Sequence, residues 1–124
     1  MAVVQLMDVR QCSRTRFMSL QSLNDKERQV IFECLRAVVD GPFFPDWEFH
    51  TLFGLQRSEV ARIVAAIPDI DDSDERVSRV INNSLGNLLH YPHGLTEAWK
   101  QFISVPQSEV SRVFDRWRHE SQAV

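Results

Sequence analysis

Apolar residues recur at the spacing of an α-helix face through most of the chain after residue 23, and no useful run alternates with the period of a β-strand. The first stripe begins just beyond Asn24, and the spacing of Asn24 and Glu27 is that of a capping box. Gly41 and Pro42 end this helix. Its apolar face consists of Ile31, Cys34, Leu35 and Val38.

Five further helices follow from the same periodicity and from residues that start or stop helices. They are a short helix opened by Pro45 and ended by Gly54, and helices over about 56–66, from Asp72 or Ser73 to His90, over 96–103, and from Ser104 onwards with Pro106 in the first turn. Short loops between helices of unequal length favour angled packing. The sequence therefore predicts an all-α protein, a compact orthogonal bundle of five to six helices.

A weak internal similarity relates Trp47–Ile67 to Trp99–Trp117. Each stretch opens on a tryptophan and contains Ser-Glu-Val, at residues 58–60 and 108–110, followed two residues later by an arginine. The spacing from the tryptophan to the serine differs by two residues, and similar helix starts also arise from capping chemistry alone. Two similar helical hairpins around one core are an alternative description of the predicted bundle.

The first 22 residues differ from the rest of the chain. They carry Arg10, Arg14 and Arg16 against the single acid Asp8, and they show no sustained helical period. We predict an irregular or flexible N-terminal extension over 1–22 and a single helical domain over 23–124. A chain of 124 residues is long enough to bury about two-thirds of the surface that its unfolded form exposes.

Composition and charge indicate a cytoplasmic protein. The net charge is -3, and no apolar run approaches the roughly 20 residues that span a bilayer. Residues 1–7 lack the basic start of a secretory signal, and Cys12 and Cys34 form no CxxC pair. We therefore expect no membrane partner, and the acidic balance disfavours nucleic acid as a partner.

The predicted helix that ends at His90 contains several poor helix formers. Asn82, Asn83, Gly86 and Asn87 together cost roughly 3 kcal/mol of helix propensity relative to alanine. Asn83, Asn87 and His90 lie at i, i+4 and i+7, so they form a polar line on one face, and Gly86 lets another backbone approach closely. We expect these side chains to hold a neighbouring segment or an outside molecule.

Aromatic residues and histidines provide the other candidate contacts. Five aromatic residues fall within eleven positions around Trp47, which predicts either a core or a partly exposed patch beside the polar line. His90 is expected to bond the last carbonyls of its helix, whereas His93 lies in a turn and is expected to be exposed. The predicted binding residues are Phe43, Phe44, Trp47, Asn83, Asn87, His90 and His93.

The segment around Gly54 resembles the helix-turn-helix motif of DNA-binding proteins. Its packing positions are occupied by Phe49, Phe53, Leu55, Val60 and Ile63, and Gly54 stands at the turn. The resemblance covers about twenty residues and implies that Arg57 and Arg62 lie on an exposed recognition helix. His50 stands where a small residue is usual, and the acids of segment 69–75 repel a phosphate backbone.

Motifs of catalysis are sparse. There is no glycine-rich phosphate loop, no GxSxG, no HExxH and no cysteine with an evident histidine partner. We therefore predict no catalytic residue, no metal and no cofactor. The leading hypothesis is a non-enzymatic protein-interaction or self-association module, whose partner is another protein or a second copy. A helix-turn-helix-like DNA-binding regulator is the second hypothesis, and a small enzyme with a histidine base is the third.

Overall fold

The computed structural model describes residues 19–121, within which there are seven helices and no strand. The helices are α1 (Ser19–Ser22), α2 (Asp25–Asp40), α3 (Asp46–Phe53), α4 (Arg57–Ala65), α5 (Glu75–His90), α6 (Thr96–Phe102) and α7 (Gln107–Ser121).

The long helices α2 and α5 form the centre of the bundle. They pack on each other more extensively than any other pair, and α7 packs against both. The shorter helices surround this centre, with α3 against α5, α4 and α6 against α2, and α1 against α7. The predicted all-α bundle is confirmed, and the one-turn helix α1 adds to the six helices predicted from the sequence.

The core is apolar and draws on every long helix. The apolar stripe of α2 is buried as predicted, because its four residues are 0% exposed. Burial of such side chains, at about 25 cal/mol per Å² of apolar surface, is the main stabilising term of the fold. Other fully buried residues are Phe49 and Phe53 of α3, Val60 of α4, Val80, Ile81, Leu85 and Leu88 of α5, and Val110 and Val113 of α7.

Both ends of α2 follow the prediction. The Asn24 side chain accepts from the Glu27 N–H at 2.8 Å, and the Glu27 carboxylate accepts from the Asn24 N–H at 3.0 Å. At the other end, the Gly41 N–H donates to the Ala37 carbonyl at 2.8 Å. A Cβ on Gly41 would lie only 2.6 Å from that carbonyl oxygen and 2.9 Å from the Phe43 ring, so this position requires glycine.

The start of α5 differs from the prediction. The helix begins at Glu75, and Asp74 is its N-cap, with a side chain that accepts from the Arg76 N–H at 2.8 Å. The expected start at Asp72 or Ser73 is wrong. Asp72 is instead buried, at 3% exposure, and its Oδ2 accepts from the Leu20 N–H at 2.9 Å and from Trp117 Nε1–H at 3.0 Å.

Carboxylates also tie α7 and its preceding loop to α2. Buried Glu27 lies 3.3 Å from Arg112 and 3.6 Å from Arg116 of α7. The Asn24 N–H, together with these arginines, lowers the pKa of Glu27 despite its burial. Ser104 donates its N–H at 2.9 Å and its hydroxyl at 2.8 Å to Glu33 of α2. Because Ser104 is held in this loop, α7 begins at Gln107 rather than at Ser104 as predicted.

The predicted extension over 1–22 overlaps α1. Leu20 and Leu23 are 4% and 3% exposed, so this end of the predicted extension packs on the bundle. Residues 1–18, with Cys12, lie outside the described residues. Cys34 is a free, fully buried thiol whose pKa is raised by desolvation. None of the helices in residues 19–121 is long and apolar enough to cross a bilayer.

The predicted similarity of the two hairpins has mixed support. Val60 and Val110, which occupy matching positions, are both fully buried. The two tryptophans that open the stretches differ, because Trp99 is 4% exposed and Trp47 is 81% exposed. The duplication stays a prediction.

Candidate functional site

The two asparagines of the polar line hold the end of helix α3. Asn83 Nδ2 donates to the Phe53 carbonyl at 3.1 Å, and Asn87 Nδ2 donates to the Leu52 carbonyl at 3.1 Å and to the Asn83 carbonyl at 2.8 Å. The last four carbonyls of a helix have no partner within it, so these amides cap α3 from a distance. The expectation that the asparagines hold a neighbouring segment therefore agrees with the contacts.

Replacement of Asn87 by alanine is expected to destabilise the protein by about 1 kcal/mol, because the loss of the donor to the half-buried Leu52 carbonyl, about 1.5 kcal/mol, exceeds the gain in helix propensity of about 0.5 kcal/mol. The loss is measured as the free energy of unfolding in urea. Asn82→Ala is the matched control, because Asn82 is exposed on the same helix and alanine there gains about 0.5 kcal/mol of helix propensity. Equal effects of the two substitutions would contradict the capping role of Asn87.

Gly86 does not provide the close backbone approach that the sequence suggested. The nearest atoms to a Cβ built there, outside its own helix, are ring carbons of Phe114 at 3.8 Å, which is ordinary van der Waals contact. The expectation is corrected because the neighbour is a side chain at normal distance.

Gly86→Ala is accordingly expected to stabilise the protein by about 1 kcal/mol, the difference in helix propensity between the two residues. Thermal unfolding followed by circular dichroism measures this gain as a higher Tm. A lower Tm would mean that α5 and α7 need the space at Gly86.

The two histidines exchange the roles that the sequence assigned to them. His93, expected to be exposed, is half-buried, and its Nε2 lies 3.1 Å from the Leu88 carbonyl. Its Nδ1 accepts from the Leu95 N–H at 3.0 Å, so Nε2 carries the hydrogen and donates. His93 therefore caps α5, the role predicted for His90. His90 is the exposed member of the pair.

The expected aromatic patch is reduced to one residue. Phe43 and Phe44 are 1% and 3% exposed. Phe43 packs edge-on against the rings of His93 and Trp99, with centroids 5.0 and 6.3 Å away, and Phe44 packs against Phe53 at 5.2 Å. The prediction that both phenylalanines are binding residues on the surface is corrected, because they fill the core between α3 and the loop that follows α5.

Trp47 is the large hydrophobic side chain that the described chain leaves in solvent, at 81% exposure. Successive helix residues are rotated by about 100°, so Trp47 faces away from Phe49, which is buried under α3. Sequence reasoning placed both on one apolar helix. The helical angle places the two side chains on opposite faces of α3, and the packing of α3 on α5 decides which face is buried.

Trp47 stands on a firmly held helix with acidic neighbours. Asp46 accepts from Arg57 Nε at 2.8 Å, and Glu48 accepts a hydrogen bond from the Tyr91 hydroxyl. The bond to Glu48 raises the pKa of Tyr91. His50 and Thr51, on the same helix, are exposed. The exposed indole is therefore flanked by two carboxylates that are fixed in position.

Arg57 is engaged within the fold. Its Nη1 donates to the Val38 and Val39 carbonyls at 3.0 and 3.3 Å, its Nη2 donates to the Phe44 carbonyl at 2.6 Å, and its guanidinium lies 4.4 Å from the Phe49 ring centroid. The role of Arg57 as an exposed DNA-reading side chain is corrected, because these bonds cap α2 and fix the loop before α3.

Arg62 is exposed, but its surroundings are acidic. It lines an open groove of about 450 Å³ between α4 and segment 69–77. The sequence predicts that the acids of segment 69–75 repel a phosphate backbone, but it does not predict their position beside α4. The groove is lined by Glu59, Ile63, Asp69, Ile70, Asp71 and Asp74.

No protein-family model, no curated protein and no solved structure matches this chain. Among the described residues, no group of three or more histidine, cysteine, aspartate or glutamate side chains is arranged to hold a metal ion.

Proposed function

We propose that this protein is a protein-interaction module and that Trp47 is the anchor of its binding surface. The exposure of Trp47 carries this proposal, because the other two tryptophans of the chain, Trp99 and Trp117, are 4% and 2% exposed. A tryptophan offers about 200 Å² of surface, and tryptophan is enriched among the residues that dominate binding energies at interfaces.

The helix that carries Trp47 is held in place from several sides. Phe49 and Phe53 anchor α3 in the core, the amides of Asn83 and Asn87 cap its end, and Arg57 bonds Asp46 at its start. An anchor on such a helix loses little backbone freedom on binding, and less ordering is needed to form a complex. The polar line thus supports the binding surface indirectly.

The charges around Trp47 favour a partner of the opposite sign over a second copy. Asp46 and Glu48 stand on either side of Trp47 in the chain. Arg57 offsets the charge of Asp46, whereas Glu48 accepts from the neutral Tyr91 hydroxyl and keeps its negative charge, and the whole chain carries a net charge of -3. Two copies that met through this face would place carboxylates against carboxylates, which opposes association. We therefore propose a partner protein that presents an apolar pocket with a basic rim.

Trp47→Ala tests the proposal because an 81% exposed side chain contributes little to folding. The wild-type protein and the variant are compared as baits, and the captured protein is purified and titrated against each. We expect the variant to keep its Tm and to bind about 30-fold more weakly, the effect of losing about 2 kcal/mol at an interface anchor. Gln101→Ala, exposed on α6 away from this helix, is the control and should bind like the wild type.

Fluorescence gives a second readout, since Trp47 is the exposed tryptophan of the three. Binding should shift its emission to the blue and protect it from iodide. Equal capture by both baits, or a complex in which iodide still quenches Trp47, would contradict the proposal. Light scattering measures self-association. If the wild type forms concentration-dependent dimers and Trp47→Ala does not, the molecule that binds Trp47 is a second copy of this chain, and the proposal of a different partner protein is wrong.

A further inference from the structure

A second surface, the groove between α4 and segment 69–77, is lined by apolar as well as charged residues. Ile63 and Ile70 are only partly buried, and Val77 also lines the groove. Apolar residues held open to solvent in a concave surface gain stability when another chain covers them.

The rim of this groove is more acidic than basic. Four carboxylates line it, against the two guanidinium groups of Arg62 and Arg76. Arg76 pairs with Glu59 at 3.3 Å, and the backbone N–H of Ser73 lowers the pKa of Asp71. The occupant that complements this groove is therefore a chain that combines apolar and basic residues.

We infer that the segment of this protein before residue 19 is that occupant and binds in the groove between α4 and segment 69–77. The segment has a suitable composition, with Arg10, Arg14 and Arg16 against the single acid Asp8. Its apolar residues are Ala2, Val3, Val4, Leu6, Met7, Val9, Phe17 and Met18.

The point where this segment joins the bundle lies beside the groove. The Leu20 N–H donates to Asp72 at 2.9 Å, and Asp72 is the neighbour of Asp71, which lines the groove. An extended chain covers about 3.3 Å per residue, so only a few residues are needed to round this loop. A short tether also gives an effective concentration on the order of millimolar, which lets a weak contact form.

The test uses the full chain with a spin label on Cys12, which lies in the proposed occupant. Cys34 is fully buried and its pKa is raised, so it competes poorly for a thiol-directed reagent. Paramagnetic broadening of amide signals in NMR spectra then reports which residues lie near the label. We expect broadening at Ile63, Ile70 and Val77.

Charge variants decide whether the contact is the proposed one. The broadening at the groove should fall at least about threefold in either of two double variants, Arg14→Gln with Arg16→Gln or Asp69→Asn with Asp71→Asn. About 0.5 M NaCl should have the same effect, because salt screens the attraction between the charges. Glu97→Gln is the control, because Glu97 is exposed on α6, and it should leave the broadening at the groove unchanged.

Broadening that is spread evenly over the bundle, centred on another surface, or insensitive to the charge variants would overturn the inference. If the groove shows no broadening but binds an added arginine-rich peptide, the occupant is another protein, and the assignment to this chain's own segment is wrong. Neither result depends on Trp47, so this inference can fail while the proposed function stands.

Discussion

Asp72→Ala is expected to destabilise the protein by about 3 kcal/mol, one of the two largest losses that we predict for a single polar side chain here. Its Oδ2 accepts from the Leu20 N–H at 2.9 Å and from Trp117 Nε1–H at 3.0 Å, and both bonds are buried. Alanine leaves two donors inside the bundle without this acceptor, and each costs about 1 to 3 kcal/mol. Urea unfolding measures the loss.

A double-mutant cycle separates the two bonds of Asp72. Trp117→Phe removes the indole N–H while keeping a large aromatic ring, so the double variant with Asp72→Ala should lose less than the sum of the single variants. Asp69→Ala is the control, because Asp69 is exposed in the same loop, and it should change stability by less than about 0.5 kcal/mol. A loss for Asp72→Ala as small as that of Asp69→Ala would show that the buried bonds are not needed.

Arg57→Ala is expected to cost about 2 to 3 kcal/mol, since three backbone carbonyls lose a charged donor at once. Two of these, Val38 and Val39, belong to the unsatisfied end of α2, where a positive charge is also favoured by the helix dipole. The bond to exposed Asp46 adds little because solvent screens it.

Two comparisons test this interpretation of Arg57. Arg57→Lys should recover only a small part of the loss, because an ammonium group lacks the planar fork that reaches carbonyls on α2 and in the loop together. Arg62→Ala, exposed on the same helix, should be within about 0.5 kcal/mol of the wild type. Equal unfolding midpoints for Arg57→Ala and Arg62→Ala would show that the hydrogen bonds of Arg57 do not stabilise the fold.

The capping bonds of Arg57, Asn83, Asn87 and His93 share one principle. Each side chain satisfies carbonyls at the C-terminal end of a helix: α2 for Arg57, α3 for the two asparagines and α5 for His93. Most of the polar residues that the sequence analysis selected as binding residues therefore donate hydrogen bonds to backbone carbonyls within the bundle. The large hydrophobic side chain that the described residues leave exposed is Trp47, on which the proposed function rests.

The elements of the fold were largely predictable because helix starts and faces depend on near neighbours. The Asn24–Glu27 box spans three residues, and the stripe from Ile31 to Val38 spans two turns. The predicted start of α5 was wrong because the aspartates at 71, 72 and 74 can all cap a helix. The buried hydrogen bonds of Asp72 engage its side chain elsewhere, and Asp74 is the N-cap.

The sequence by itself determined the presence of the helices, the capping box of α2 and the apolar stripes, since these interactions act within about four residues of the chain. The tertiary structure decided which polar side chains end the helices and which aromatic residue meets solvent. Asn87 bonds a carbonyl 35 positions away and Trp117 bonds a carboxylate 45 positions away, and no local pattern encodes such pairs. Burial of Phe43 and Phe44 and exposure of Trp47 follow in the same way from how distant helices pack.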